Sequence, residues 1–260
     1  MKHLLFALLV IIAPGVSLAQ TISGLCMVSA SQPSDKPSGA QVMLSESNCD
    51  KATGGCMEMS NSSLAWSRWQ GISRQSLQAE SSSASAHLTG EAGDLICEGV
   101  VRDGVLSGRF HFTANPTFVH TMADLGFDGI TPRKQLSFLM LDITPAWTRE
   151  IKALGVTDLT TSKLTGLCAL HVDADYIHAM AAAGYPELRA NKLTEMKAVG
   201  VTPDKARDAR AMGFQPTEQE LIQMSIFKID RPFVDRMRAR GLEDLTLAKL
   251  IKIKIFKLED

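Results

Sequence analysis

Apolar and polar positions recur at a fixed interval between Ala114 and the C-terminus. Glycines at Gly126, Gly155, Gly184, Gly213 and Gly241 stand 29, 29, 29 and 28 residues apart; leucines at Leu136, Leu164, Leu193, Leu221 and Leu250 stand 28, 29, 28 and 29 apart. The openings recur too: Ala114-Asn115-Pro116, Ile143-Thr144-Pro145, Val172-Asp173-Ala174, Val201-Thr202-Pro203 and Ile229-Asp230-Arg231. A constant period of this length marks a series of supersecondary units that bury their apolar sides on one another.

Each unit predicts two short helices. Asn115, Thr144, Asp173, Thr202 and Asp230 occupy the N-cap of the first, where a side-chain oxygen accepts from orphan N–H groups. Proline follows in three units, at a position where its missing N–H costs nothing. The glycine ends the helix in the left-handed C′ conformation. The apolar residue after it (Phe127, Val156, Tyr185, Phe214, Leu242) is placed to lie against Met122, Ile151, Met180, Ala209 and Met237. The second helix starts at Thr131, Thr160, Thr217 and Thr246, with Thr217 and Glu220 spaced as a capping box; the third unit has Arg189 there and is weaker. The organising leucines have apolar partners three residues on, and Leu141, Leu170, Val199, Phe227 and Phe256 close the stripe. This spacing is helical rather than alternating. Helices this short barely persist alone, so these positions are expected to be core.

Residues 20–113 have a different texture, rich in Ser and Gly, with short apolar runs and no helical stripe. Leu95 to Phe112 predicts a hairpin turning at Asp103-Gly104, in which Leu106, Gly108, Phe110 and Phe112 share one face. The expected fold is α+β: a small antiparallel β-domain at 20–113, then five stacked helix-pair repeats at 114–260, arranged like an α-solenoid. Ile251 to Ile255 alternates and could pass for an edge strand; the repeat register makes it helix. The lysines of this closing unit fit a solvated cap.

Residues 1–19 read as a signal peptide: Met1-Lys2-His3, an apolar run, then Ser17-Leu18-Ala19 as a cleavage site before Gln20. The run is short for a bilayer span and no later stretch qualifies, so the product is expected to be periplasmic or secreted, with no stable membrane insertion. Residues 20–113 carry net charge −3 and residues 114–260 net +1, which argues against a nucleic-acid partner. Four of the five cysteines lie in the β-domain, where an oxidising compartment favours pairing. Three connectivities are open; the reading favours Cys49–Cys56 around Gly54-Gly55 and Cys26–Cys97 between the domain's ends. Cys168 is the odd thiol, with counterparts Met140, Lys197, Ser225 and Lys254 on a half-exposed flank.

Candidate chemistry dissolves into the repeat. His171, Asp173, Asp175 and His178 resemble a metal cluster, but Asp173 is an N-cap and His178 shares a solvated face with His120, Arg149, Arg207 and Asp235. Ser225-Ile226-Phe227-Lys228 fits S-x-x-K, yet the companion motifs of that enzyme class are absent. No cofactor, metal or catalytic residue is expected. Trp66 and Trp69, read as a strand, point to opposite faces, so one is expected to be buried; the other is a candidate contact residue if exposed, with packing of the β-domain against the first repeat the favoured alternative.

The unit typified by Val172-Asp173-Ala174-Asp175-Tyr176-Ile177, leading to Ala182-Ala183-Gly184-Tyr185 and Leu188, resembles bacterial periplasmic 29-residue helical-repeat proteins associated with beta-lactam-sensor-type membrane metallopeptidases. The strand from Glu91 to Phe112 is similar to the β-segment that introduces such repeats. The resemblance implies an architecture and a compartment, and no functional residues. The chain departs from it at Lys205, where other units have Phe118, Trp147, Tyr176 or Phe233, so unit four is expected to pack loosely. The leading expectation is a non-enzymatic scaffold binding a protein or cell-envelope component. The alternative is a periplasmic enzyme or small-ligand sensor with its site between the β-domain and the first repeat, near Trp66, Trp69 and His111.

Overall fold

The Asp103-Gly104 turn forms as the dipeptide predicts: both residues take positive φ, 49° and 76°, the requirement of the hairpin turn that matches strand twist. In this computed structural model, which describes residues 20–30, 39–47, 56–79, 81–242 and 244–258, the turn joins two strands of one antiparallel sheet. The strands are β1 (Thr21–Ala30), β2 (Ala40–Glu46), β3 (Glu58–Leu64), β4 (Trp69–Gln70), β5 (Ser83–Gly90), β6 (Gly93–Arg102) and β7 (Val105–Ala114), in the order β3-β2-β1-β7-β6-β5-β4. Register places Ile22, Phe112, Leu95, Leu88 and Trp69 in one row across five strands, and all five are buried.

Cys26 and Cys97 form a disulfide. They lie on β1 and β6 with β7 between them. Two strand spacings amount to about 9–10 Å in a flat sheet, whereas these Cα atoms are 6.1 Å apart. The sheet therefore curls toward its buried face. Gly99 and Gly108, paired across β6 and β7, permit this: a Cβ on Gly108 would stand 1.9 Å from the Glu98 carbonyl oxygen, and one on Gly99 2.1 Å from that of Ser107. Cys56 is also disulfide-bonded; Cys49, its expected partner, and the expected signal peptide at 1–19 lie outside the described residues.

Among the described residues ten helices follow: α1 (Pro116–Asp124), α2 (Pro132–Leu141), α3 (Pro145–Ala153), α4 (Thr161–Ala169), α5 (Ala174–Ala182), α6 (Ala190–Ala198), α7 (Pro203–Ala211), α8 (Glu218–Ile226), α9 (Arg231–Ala239) and α10 (Leu247–Ile255). All nine Asn, Asp and Thr N-caps named from the sequence accept a backbone N–H. The Thr217–Glu220 capping box is present. Arg189 makes no cap, as its chemistry dictates; the strand-like bonds Ala190 N to Thr157 O and Thr157 N to Leu188 O hold that helix start instead. The five repeat glycines take φ between 77° and 95°, and 251–255 is helical rather than an edge strand.

The sheet's core does not stop at Thr113. One cluster of buried side chains runs from Ile22 through Phe110 and Phe112 to Phe118, Leu136, Phe138 and Leu139, because α2 lies across the sheet and touches β1, β3, β5, β6 and β7. The carbonyls at the C-terminus of α2, orphans of the helix ladder, are taken up from the sheet and the next unit. Arg68 Nη2 donates to Leu139 O (2.8 Å), Asn61 Nδ2 to Met140 O (3.1 Å) and Cys168 Sγ to Leu141 O (3.1 Å). Arg68 also pairs with Asp142, and Arg133 with Glu46. Beyond this clamp α2 packs on α4, α4 on α6, α6 on α8 and α8 on α10, over a second cluster from Ile151 to Ile251.

Two expectations need correction at the far end. Leu141, Leu170, Val199 and Phe227 are only half-buried, and Phe256 is 66% exposed, so this set flanks the stripe rather than closing it. The closing unit is not a wholly polar cap. Leu242, Ile255, Phe256 and Leu258 are exposed; Leu258 is 65% exposed where its counterpart Ile229, covered within the chain, is 3% exposed. Among the described residues nothing covers this end as α10 covers α8.

Candidate functional site

The helix that breaks the pattern is α7, and it does so at three repeat positions together. Lys205 stands in register with Phe118, Trp147, Tyr176 and Phe233. Ala206 stands with Val119, Thr148, Ile177 and Val234, and Ala209 with Met122, Ile151, Met180 and Met237. Two buried alanines and an exposed lysine stand where the other units have larger side chains, buried except for the half-buried Val119 and Trp147.

The neighbouring units show what normally fills the place. In unit three the Tyr176 ring is buried beneath the Lys197 ammonium, 4.2 Å from the ring centroid, and its hydroxyl donates to Val201 O at 3.0 Å. Burial pushes that hydroxyl's pKa up to about 12, the mark of a dry slot. In unit five Lys254 lies 4.1 Å from the Phe233 centroid. In unit four the counterpart of both lysines is Ser225, and the counterpart of Val201 is Ile229.

What remains is a cavity of about 210 Å³. Its apolar wall is Met212, Leu221, Met224 and Ile229, and its polar lining includes Lys205, Asp208, Lys228 and Arg231. Lys205 Nζ donates to Gly200 O (2.8 Å) and to Ser225 Oγ (3.2 Å), while Ser225 Oγ donates to Val199 O (2.6 Å). The serine proton is thus turned away from the lysine, an arrangement that holds Ser225 in place and does not activate it as a nucleophile. The Lys228 backbone N–H donates to Ser225 O at 3.4 Å, but no side-chain bond links the two among the described residues, so the S-x-x-K spacing has no catalytic counterpart.

The tryptophans depart from expectation. Trp66 lies in a 3₁₀ turn at Trp66–Arg68 and not in a strand, so the opposite-faces argument does not apply. Trp66 is half-buried against the sheet core and Trp69 is buried; neither is an exposed contact residue. His111 sits in the row of Ser23, Ile96 and His87, on the face opposite Trp69. These three residues form no common site. A hollow of about 230 Å³ does lie where the β-domain meets the first helix pair, lined by Ala114, Val119, His120 and Gln135. Gln135 is buried there with its Oε1 unpartnered.

Cys168 is a free thiol at the clamp. Burial first, then the Asp142 carboxylate, push its pKa up to about 11, with Arg68 opposing. A group raised this far is about one part in a thousand thiolate at pH 8, against roughly a quarter for an ordinary cysteine. Iodoacetamide should therefore label Cys168 about a hundredfold more slowly than it labels the unfolded chain at pH 8, with the rate climbing until about pH 11. Equal rates at pH 8 would show an open, reactive thiol.

No protein-family model matches the chain, and neither does any curated protein or solved structure. Among the described residues no group of three or more His, Cys, Asp or Glu side chains could hold a metal. No helix among them is long and apolar enough to cross a membrane. Asp173 accepts from Tyr176 N at 2.8 Å, and His178 is exposed in the company of His120, Arg149, Arg207 and Asp235.

The signal for the cavity was present in the sequence. Lys205 alone reads as one loose contact. Ala206 and Ala209 are small residues of the same helix, fully buried, and do not line the hollow.

Proposed function

We propose that this chain is an exported recognition scaffold: five helix pairs, stacked like an α-solenoid beyond the β-domain, that bind a protein or cell-envelope component without chemical turnover. The observation that carries the reading is the hollow of unit four. A stack whose purpose was only to bury its own core would fill that place as its neighbours do, since a void forfeits packing and stability. The cations at its mouth are unspent as well: Lys228 and Arg231 enter no ion pair among the described residues. Stacked repeats characteristically use such surfaces for partners. Kinship with the periplasmic repeat proteins named above belongs to the same reading, as does a location outside the cytoplasm, with which the Cys26–Cys97 bridge is compatible.

The full-length chain, immobilised and exposed to envelope extracts, should retain a specific protein that a Lys228→Glu/Arg231→Glu variant of unchanged melting temperature does not retain. Retention of nothing, alongside recovery of a known periplasmic pair, would refute the scaffold reading.

A second reading rests on Gln135. An unpartnered buried acceptor facing a hollow suits a small polar ligand with a donor group, which would make the junction of sheet and first helix pair a sensor site.

A further inference from the structure

We infer that the hollow of unit four receives an aromatic side chain, tyrosine by preference, carried on an acidic stretch of a partner polypeptide. The inference rests on the scaffold reading and names what the scaffold holds.

Shape comes first. The chain itself shows what belongs in this place, because the other four units each supply a ring from the first helix: Phe118, Trp147, Tyr176 and Phe233. Unit four keeps the surroundings of the ring and omits the ring. Leu221 and Met224 are the counterparts of Leu193 and Met196, and Ile229 that of Val201; all six are buried. An apolar cavity of about 150 Å³ admits benzene, so about 210 Å³ accommodates a phenol ring.

Polarity selects within the aromatics. Tyr176 donates its hydroxyl to Val201 O. The corresponding carbonyl in unit four, that of Ile229, accepts from no donor among the described residues. A guest tyrosine seated as Tyr176 is seated meets that carbonyl, whereas phenylalanine leaves it unpaired. Units three and five also place an ammonium over the ring, from Lys197 and Lys254. Unit four has its ammonium on Lys205, where the ring would have been rooted, so the cation is kept and only its attachment moves.

Charge then sets the flanks. Lys205, Lys228 and Arg231 surround the mouth. Of the two carboxylates there, Asp230 is engaged by the backbone N–H of Phe233 at 3.0 Å as the cap of α9, which leaves Asp208. The balance favours acidic residues beside the aromatic, and attraction of this kind weakens with added salt.

The test uses the full chain with its methionine methyl groups labelled, and the probe acetyl-Glu-Tyr-Glu-amide. Ring currents from a seated phenol should move the methyl signals of Met212 and Met224 and leave that of Met122 in α1 unchanged. Acetyl-Glu-Phe-Glu-amide should bind several-fold more weakly, acetyl-Glu-Ala-Glu-amide should produce no such shifts, and about 0.5 M salt, which roughly halves the physiological Debye length, should weaken binding of the tyrosine peptide. Lys205→Phe restores the missing ring and should weaken the tyrosine peptide at least tenfold. Should that variant misfold, the contrast between tyrosine and alanine peptides on the unaltered chain decides alone. Silence of Met212 and Met224 at millimolar peptide, identical shifts from the alanine peptide, or undiminished binding by a folded Lys205→Phe variant would overturn the inference. An envelope protein retained equally by the unaltered chain and by Lys205→Phe would sink this pocket and leave the scaffold standing. Peptide binding without any retained partner would do the reverse.

Discussion

Replacing Cys26 and Cys97 together by alanine should lower the stability of the chain by about 4 kcal/mol, the entropy that a cross-link of this span removes from the unfolded state. The bridge joins residues 71 apart in sequence, so the open chain gains a large loop. For a protein of this size the melting temperature should fall by roughly 10 °C, measured by circular dichroism on the double variant. The effect is large because the bridge crosses over β7 and holds the curl of the sheet, the surface against which α2 packs. A fall of under 2 °C would show that the paired glycines and the apolar face hold that curvature unaided.

Phe138→Ala should be comparably damaging, at about 3–5 kcal/mol for a wholly buried ring. Phe138 meets Phe118 edge to face, with centroids 6.0 Å apart and planes at 80°. It belongs to the cluster shared by the sheet and the first helix pair. Its removal opens a void where two kinds of secondary structure depend on one core, so strand and helix signals should be lost at a common, lower temperature. Phe256→Ala supplies the contrast: the same deletion at a mostly exposed ring should change stability by no more than about 0.5 kcal/mol. A small loss at Phe138, or separate transitions for the two signals, would show that the sheet and α2 do not share a core.

The sequence announced those parts of the fold that are settled within a few residues. Thr144, Asp173 and Asp230 are legible as helix starts because a cap is the chemistry of one side chain and the N–H groups just beyond it. Gly155 and Gly213 are legible as helix ends for the same local reason. The Asp103-Gly104 turn and the alternation after it gave away one hairpin. Partnerships between distant strands left no such trace: that β1 lies beside β7, and that Trp69 shares a row with Leu88, depends on contacts across many residues. Trp66 lies in a turn rather than a strand for the same reason, since a three-residue turn is decided by what it packs against. Of the candidate site, the departure at Lys205 is legible in the sequence, whereas the hollow depends on how Lys205, Asp208 and Met212 of α7 face Leu221, Met224 and Ile229 across the unit. The exposed Phe256 and Leu258 follow the pattern of half-buried and buried counterparts, and a pattern read from one chain carries no information on what covers it.

The clamp on α2 has a consequence for where adaptability resides. Arg68, Asn61 and Cys168 grip the end of that helix from neighbouring elements, while α10 leans chiefly on α8. Local opening should therefore cost more at the clamped end of the helical series than at α10. The fourth pair stands well along that line. Its hollow is separated from that clamp by the intervening helices α4 and α6.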